Sequence, residues 1–424
     1  MRKATLVRGA RQLLTMRGPG GPRRGADLKN LGLIQDGAVL IVDGLIQEVG
    51  PTRRLENLAV ARAAEEIDAS GCVVMPGFVD CQMHAVSGPP RVAEHEMRMA
   101  SAGGPEIARN GAGALAIAKS IQDHTPRALE ALARGVMGVA LRHGTTSFGA
   151  ESGLGLTMAG EVKILRVHAA LQRRLNSLVS TFVSARVSPD YEARPEEYLD
   201  RVCTRLLPML KRRKLAEFAG IRCGEGSFTL TEACRYLIAA RQLGFRLKLD
   251  AGESPGAGAV ALAVQVGATS VVPCADTPEQ EAKLLGESQT VAALLPGPVF
   301  HNGRPRYPDA RLLIANGAAV ALATGYNPET SPSQSMQMMI ALACRFMNLT
   351  PAEAIVAATI NASHALRRAD IVGSLETGKS ADLIALGVPD YREVPYHFGV
   401  SLVDLVMKSG AVLVKRAEVQ WPAS

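Results

Sequence analysis

Two side chains at the end of one short apolar segment are the strongest candidates for chemistry in this chain. The segment runs from Met75 to His84 and places Gln82 two positions before His84. Residues two apart on a β-strand project from the same face, so both side chains would point into one site. Imidazole binds metals and transfers protons near neutral pH, whereas a neutral amide is a poor zinc ligand. The pair therefore predicts a polar site with one strong functional group.

The overall composition is that of an ordinary globular protein and excludes several classes of function. The chain has 424 residues, 47% of them hydrophobic and 21% charged. Its formal net charge of +7 is small for this length, and aromatic residues make up only 4%. These values argue against a nucleic-acid surface built on base stacking. No apolar run is long enough for a membrane helix, and the N-terminus lacks the apolar stretch of a signal peptide. We therefore predict neither a nucleic-acid nor a membrane partner.

The use of cysteine indicates a reducing compartment. The chain has seven cysteines, an odd number, and no two of them form a Cys-x-x-Cys pair. Such a pattern in a long chain is typical of free thiols rather than of a disulfide framework. We therefore predict a cytoplasmic protein.

Both ends of the chain are rich in strand patterns. Residues 37–50 form two short apolar runs around an Asp-Gly dipeptide, which is typical of a hairpin turn. Residues 378–386 and 403–415 give further strand patterns near the C-terminus. We predict that the two ends join in one small β-sandwich domain, formed by residues 1–74 and 369–424.

Residues 75–368 alternate strand patterns with helix patterns. Thr125 precedes a proline and a helical pattern, as an N-cap does. Thr277 and Thr350 also precede proline, and each has a Gln or Glu three residues later, which predicts a capping box. Repeated βα units of about 25–40 residues predict a parallel (β/α)₈ barrel with its active site at the carboxyl ends of the strands. The site residues must therefore come from several strand ends.

Six segments, in a fixed order and spacing, resemble one known family. They are Met75–Asp80, Arg91–Glu94, Gly144–Gly155, Leu294–Gly297, Ala323–Ser331 and Gly373–Asp382. The chain is identified by them as an imidazolonepropionase-like member of the amidohydrolase superfamily. The resemblance implies an α/β fold, an amidohydrolase-type (β/α)₈ TIM barrel with a small β-sandwich. It also implies a homodimer, and hydrolysis of the ring C–N bond of imidazolone propionate by a water bound to zinc or iron.

The resemblance also implies where the metal ligands would lie, and most of these positions hold other residues. Gln82 takes the place of the first histidine of a His-x-His pair, and His84 is retained. Two further histidine positions correspond to Asp250 and Pro273, and a ligand aspartate corresponds to Gly325. A zinc site needs at least three good donors. The remaining set is Gln82, His84 and Asp250, so we expect no tightly bound metal and no other cofactor.

Catalytic candidates are few. The acidic residue that the family carries after its second histidine corresponds to Gly252, with Glu253 displaced by one position. A rearranged centre would therefore use His84, Asp250 or Glu253. The alternative for His84 is a histidine that is satisfied by its neighbours at the barrel mouth and has no role in catalysis.

Six residues are candidates for contact with a ligand: Arg91, Glu94, Glu151, Arg186, Asn327 and Thr330. Arg91 is the family-like residue for gripping a substrate carboxylate, since a guanidinium matches that group with two hydrogen bonds. Arg91 and Glu94 could instead form an ion pair on a loop. Glu151 and Arg186 stand where the family has a lysine and a histidine. We hypothesise that Arg186 pairs with Asp250 or Glu151 and supplies part of a missing cation's charge.

Three functions remain open at this point. The leading interpretation is a metal-free relative of imidazolonepropionase that binds a small, anionic, carboxylate-bearing ligand at the barrel mouth. The second is a hydrolase acting on C–N bonds of cyclic amides through a rearranged centre. The third is a structural or partner subunit, because barrel folds host many functions and the fold does not decide among them.

Overall fold

The computed structural model describes residues 3–100, 106, 112–224, 226–252 and 258–415. Glu253, one of the catalytic candidates, lies outside the described residues. All seven cysteines lie within them and are free, as their spacing predicts.

The strands form two separate sheets, and we label them β1 to β16 in chain order. They are Ala4–Leu14, Leu33–Val42, Leu45–Pro51, Glu65–Asp68, Val73–Pro76, Phe78–Met83, Thr145–Glu151, Leu178–Ser184, Phe218–Arg222, Arg246–Asp250, Ser270–Val272, Val291–Leu294, Ala319–Leu322, Leu383–Leu386, Val403–Lys408 and Ala411–Lys415.

Helices follow most of the strands of the central region. The α-helices are Thr52–Leu55, Val92–Met99, Ala114–Asp123, Pro126–Arg142, Met158–Arg174, Pro195–Arg201, Leu207–Arg212, Leu230–Gln242, Ala259–Gln265, Glu279–Glu287, Pro296–His301, Ala310–Ala315, Met336–Phe346, Pro351–Ala357, Ile360–Ala365 and Glu393–Tyr396. A π-helical segment, Val202–Leu206, joins two of them, and short 3₁₀ segments occur at Gly25–Lys29, Ala61–Ala63 and Pro189–Tyr191. None of the helices in the described ranges is long and apolar enough to cross a membrane.

Strands β6 to β13 form the barrel, and each pairs in parallel with the next one in the chain. The segments that follow β6 and β13 close the circle. The amide of His84 donates to the carbonyl of Tyr326 at 2.8 Å, and the amide of Gly325 donates to the carbonyl of Gln82 at 3.0 Å. The predicted parallel barrel is confirmed, and its closure brings the first and last strand ends side by side.

The second sheet joins both ends of the chain, as predicted. Its strand order is β16-β15-β14-β5-β1-β2-β3, with β4 beside β1. The chain passes from this sheet to the barrel at Gly77, between β5 and β6. A Cβ atom at Gly77 would lie 2.3 Å from the side chain of Thr146, so the crossing requires glycine. This close approach fixes where β6, and with it His84, enters the barrel.

Candidate functional site

A cavity of about 170 Å³ opens at the carboxyl ends of the barrel strands. Its walls come from the ends of β6, β9 and β10 and from the segments that follow β11, β12 and β13. A smaller cavity of about 60 Å³ lies against it. The two cavities share Gln82, His84, Arg222, Asp250 and Val272 in their walls. We call them the outer and the inner cavity.

His84 offers the inner and outer cavities a neutral imidazole. Its Nδ1 atom lies 3.2 Å from the backbone carbonyl oxygen of Glu151. A carbonyl only accepts, so Nδ1 carries the proton and Nε2 keeps its lone pair. Burial lowers the pKa of the imidazole below its usual value, although Glu151 and Asp250 act in the opposite direction. His84 is therefore neutral at pH 7, with one nitrogen able to accept a proton.

Asp250 supplies a carboxylate to both cavities. One of its oxygens accepts from the amide of Gly252 at 2.8 Å. The other lies 3.9 Å from Nε of Arg222, which pairs with Asp250 in the register of β9 and β10. About a third of the Arg222 side chain is exposed (32%), so this ion pair is only partly shielded from water.

A buried ion pair lies in the inner cavity. Nζ of Lys248 is 3.1 Å from Oε1 of Glu151, and the two side chains are 7% and 5% exposed. The same Nζ donates to the backbone carbonyl of Cys81 at 3.0 Å and lies 5.5 Å from the ring centre of Phe218. Lys248 stands two residues before Asp250 on β10, so strand alternation turns both side chains into the barrel.

The predicted role of Arg186 as a partner of Asp250 or Glu151 is wrong. Those carboxylates pair with Arg222 and Lys248 instead. Arg186 is exposed and lines neither cavity, and it has no ion pair with another described residue. The reason is local, because β8 ends at Ser184 and the chain bends at Arg186. Strand alternation therefore no longer determines where its side chain points.

The other ligand-binding candidates divide between the cavities and the surrounding loops. Asn327 and Thr330 line the outer cavity, and Glu151 lines the inner one. Arg91 forms an ion pair with Glu94, and neither is among the residues that line the two cavities. The ion pair that the sequence left open for these two residues is therefore present, but it lies at the start of the helix Val92–Met99 and not on a loop, with Arg91 at the N-cap and Glu94 in the first turn.

The sequence did not identify the three arginines of the outer cavity as site residues. Arg222, Arg304 and Arg306 line the outer cavity, and Arg306 also pairs with Asp276. Arg222 ends β9, a position that in a barrel faces the mouth. Arg304 and Arg306 follow the helix Pro296–His301 in a turn. The position of Arg222 at a strand end was a usable signal, whereas nothing in the sequence aimed the other two at the cavity.

The residues named as a residual metal set do lie together. Gln82, His84 and Asp250 line the same outer cavity, and Pro273 and Gly325 stand beside them. Within the ranges that the structure describes, no group of three or more His, Cys, Asp or Glu side chains is placed to hold a metal ion. Among the described residues, the wall of the outer cavity offers one neutral imidazole, one carboxylate, an amide and three arginines.

Comparison with solved structures supports the barrel assignment. Escherichia coli guanine deaminase superposes with a TM-score of 0.73 at 16% identity, covering 98% of this chain and 100% of that one. Atrazine chlorohydrolase from Arthrobacter aurescens, in a zinc complex, gives 0.70 at 17% identity, with 97% and 95% covered. Identities this low establish the shared fold and nothing about the reaction.

Sequence relatives define the family. A family model described as the amidohydrolase family matches residues 257–413. The imidazolonepropionase of Solibacter usitatus is 39% identical over 410 residues, covering 96% of this chain and 98% of that protein. The imidazolonepropionase of Geobacillus kaustophilus is 38% identical over 418 residues, with 97% and 98% covered. The chain therefore belongs to the imidazolonepropionase family of amidohydrolases.

Proposed function

We propose that this protein binds a small carboxylate-bearing ligand in the outer cavity and does not carry out metal-dependent hydrolysis. One observation carries the proposal. The cavity wall that holds His84 and Asp250 also holds Pro273 and Gly325, and three arginines contribute to the same wall. The wall is therefore poor in ligands for a divalent ion and rich in donors for an anion.

The donors among the described residues of the site do not suit a tightly bound transition metal. Zinc in proteins takes three or four ligands from histidine, cysteine and carboxylate side chains. Gln82 brings a weak amide oxygen, and Pro273 and Gly325 bring no side-chain donor. Without a metal, a water molecule keeps a pKa far above neutral and is not ionised by the site.

The backbone around Gly325 also opposes an acidic side chain there. Gly325 has a φ of +56°, and a Cβ atom on it would lie 3.1 Å from Cγ of Pro298 and 3.3 Å from Cδ1 of Leu295. Aspartate tolerates such a φ better than most residues, but these neighbours would have to move. An aspartate at this position would therefore require Pro298 and Leu295 to shift slightly.

The arginines argue for an anionic ligand. Among the described residues, Arg222, Arg304 and Arg306 line the outer cavity, while Asp250 is the one carboxylate in its wall and Asp276 pairs with Arg306. A guanidinium binds a carboxylate with two parallel hydrogen bonds, which are stronger than bonds between neutral groups. The ligand carboxylate would then be bound by arginines at the end of β9 and after β12, and not by Arg91 as predicted.

Calorimetric titration of the purified protein with imidazole propionate, with and without a chelator, tests this function. We expect binding that the chelator does not change, and zinc and iron well below one atom per chain in elemental analysis. Absence of binding for imidazole propionate and for related acids would overturn the ligand-binding proposal. One metal atom per chain would overturn the metal-free part.

A second candidate function is metal-independent hydrolysis of a cyclic amide. It is favoured by the lone pair on His84 Nε2 in the cavity wall and by the imidazolonepropionase relatives. In this scheme, Nε2 takes a proton from water, the oxygen adds to the ring carbonyl carbon, and the proton passes to the nitrogen as the C–N bond breaks. Turnover of imidazolone propionate that survives a chelator and disappears in His84→Asn would support this reaction.

A further inference from the structure

The ammonium group of Lys248 has a donor left over for the inner cavity. A lysine ammonium has three N–H donors. Within the described part of the chain, two are used, by Oε1 of Glu151 and by the carbonyl oxygen of Cys81. Lys248 lines the inner cavity together with Gln82 and His84. A ligand that enters this space therefore meets a fixed ammonium.

The position of this ammonium is set before any ligand arrives. Glu151 and Cys81 hold it at 3.1 and 3.0 Å, and the face of Phe218 lies 5.5 Å away. Its side chain is 7% exposed, so it is held in a low-dielectric space. Donors that are fixed in such a space interact strongly with an oxygen and need no rearrangement when it arrives.

The charges that line the inner cavity indicate whether a ligand group that enters it should be charged or neutral. Its walls include two cations, Lys248 and Arg222, and two carboxylates, Glu151 and Asp250. These charges balance, unlike those of the arginine-rich outer cavity. An extra anion in the inner cavity would lie close to both carboxylates. An uncharged group with a strong acceptor, such as an amide carbonyl, fits this balance better.

We propose that Lys248 donates a hydrogen bond to the carbonyl oxygen of a cyclic amide that enters the inner cavity. This proposal rests on the proposed function, in which the carboxylate of the same ligand is held in the outer cavity. Lys248 would then polarise the ligand carbonyl from within the chain itself.

The test compares two ligands and two variants. Hydantoin propionate has ring carbonyls, and imidazole propionate has the same carboxylate arm without them. Glu151→Gln keeps the amino group of Lys248 and its N–H donors, whereas Glu151→Gln combined with Lys248→Met removes them without leaving a buried unpaired carboxylate. Melting curves first establish that both variants are folded, and calorimetry then gives the affinities.

The expected result is selective. The double variant should bind hydantoin propionate about 10-fold or more weakly than Glu151→Gln does, as for loss of a hydrogen bond to a charged group. Its affinity for imidazole propionate should stay within about 2-fold of that of Glu151→Gln, since that ligand has no ring carbonyl oxygen for Lys248 to bind.

Other outcomes separate the two proposals. Equal affinities of both variants for hydantoin propionate would overturn the role of Lys248 and leave the carboxylate site standing. Equal losses for both ligands would also overturn it, because a carbonyl contact cannot weaken a ligand that has none. Failure of the unmodified protein to bind either compound would overturn both proposals.

Discussion

The inner and outer cavities use charge in opposite ways. The ion pair of the inner cavity, Lys248 with Glu151, is 7% and 5% exposed. The pair beside the outer cavity, Arg306 with Asp276, is 71% and 37% exposed. A buried charge is held in place because leaving it unpaired is costly, whereas exposed charges are screened by water. The inner pair is therefore part of the scaffold of the site, while the outer pair is largely hydrated and contributes less to holding the fold together.

The largest expected effect comes from breaking the inner pair on one side. Lys248→Met alone should lower the free energy of unfolding by about 3–5 kcal/mol, because it leaves Glu151 buried without a cation. Urea unfolding measures the change. The double variant with Glu151→Gln should recover a large part of the loss. A single variant as stable as the unmodified protein would show that the buried pair is not scaffold.

A buried imidazole outside the cavities extends the comparison to pH. His168 is buried on the helix Met158–Arg174, its Nδ1 lies 3.0 Å from Oγ of Ser180, and burial lowers its pKa to about 3. Its folded pKa lies below the unfolded value, so the stability it contributes is present above pH 6.5 and lost as pH falls toward 3. Between pH 6.5 and 5 the loss should be about 2 kcal/mol.

Urea unfolding at several pH values, for the unmodified protein and for His168→Gln, measures this loss. Asp80 acts in the opposite direction, since burial raises the pKa of its carboxyl to about 6. The relevant quantity is therefore the difference between the two pH slopes, in which Asp80 cancels. Parallel slopes would contradict a buried neutral His168.

Two arginine variants test whether the ligand carboxylate binds in the outer cavity. Arg304→Gln should weaken binding of imidazole propionate by about 10-fold, because a charge-assisted hydrogen bond is lost. Arg91→Gln is the matched control, since Arg91 pairs with Glu94 and does not line either cavity. Titration calorimetry compares the two. If Arg91→Gln weakened binding as much as Arg304→Gln or more, Arg91 would be the residue that binds the carboxylate, as the family resemblance implied.

The smallest expected effect is at the exposed outer pair. Asp276→Asn should change the free energy of unfolding by less than about 1 kcal/mol, since its partner Arg306 is mostly exposed. Urea unfolding at low and high salt measures it. A loss as large as that of Lys248→Met would remove the contrast between the cavities.

The sequence predicted local features well where one pattern decides them. Thr350 caps the helix Pro351–Ala357 and forms the predicted capping box with Glu353. The same pattern was wrong at Thr277, because Pro278 is the N-cap and the helix begins at Glu279. The hydroxyl of Thr277 instead donates to the carbonyl of Cys274 at 2.9 Å. The hydroxyl of Thr277 is therefore used in the turn after β11 and does not cap the helix.

The sequence predicted which residues face the site only within the strands, where side chains alternate between the two faces. Gln82, His84 and Asp250 share a cavity because they sit at strand ends with inward-facing side chains. Lys248 obeys the same alternation but was missed, since lysines are seldom buried and its partner Glu151 comes from a distant strand. Arg186 lies beyond the end of its strand, where a bend in the chain determines the direction of its side chain. Its pairing could therefore not be predicted from strand alternation.

Both proposals depend on binding of a carboxylate ligand in this barrel without a metal. Titration of imidazole propionate into the purified protein, repeated after chelation and paired with elemental analysis, tests it most directly. We predict the same affinity before and after chelation, with zinc and iron far below one atom per chain. One zinc or iron atom per chain, together with binding that the chelator abolishes, would contradict the account.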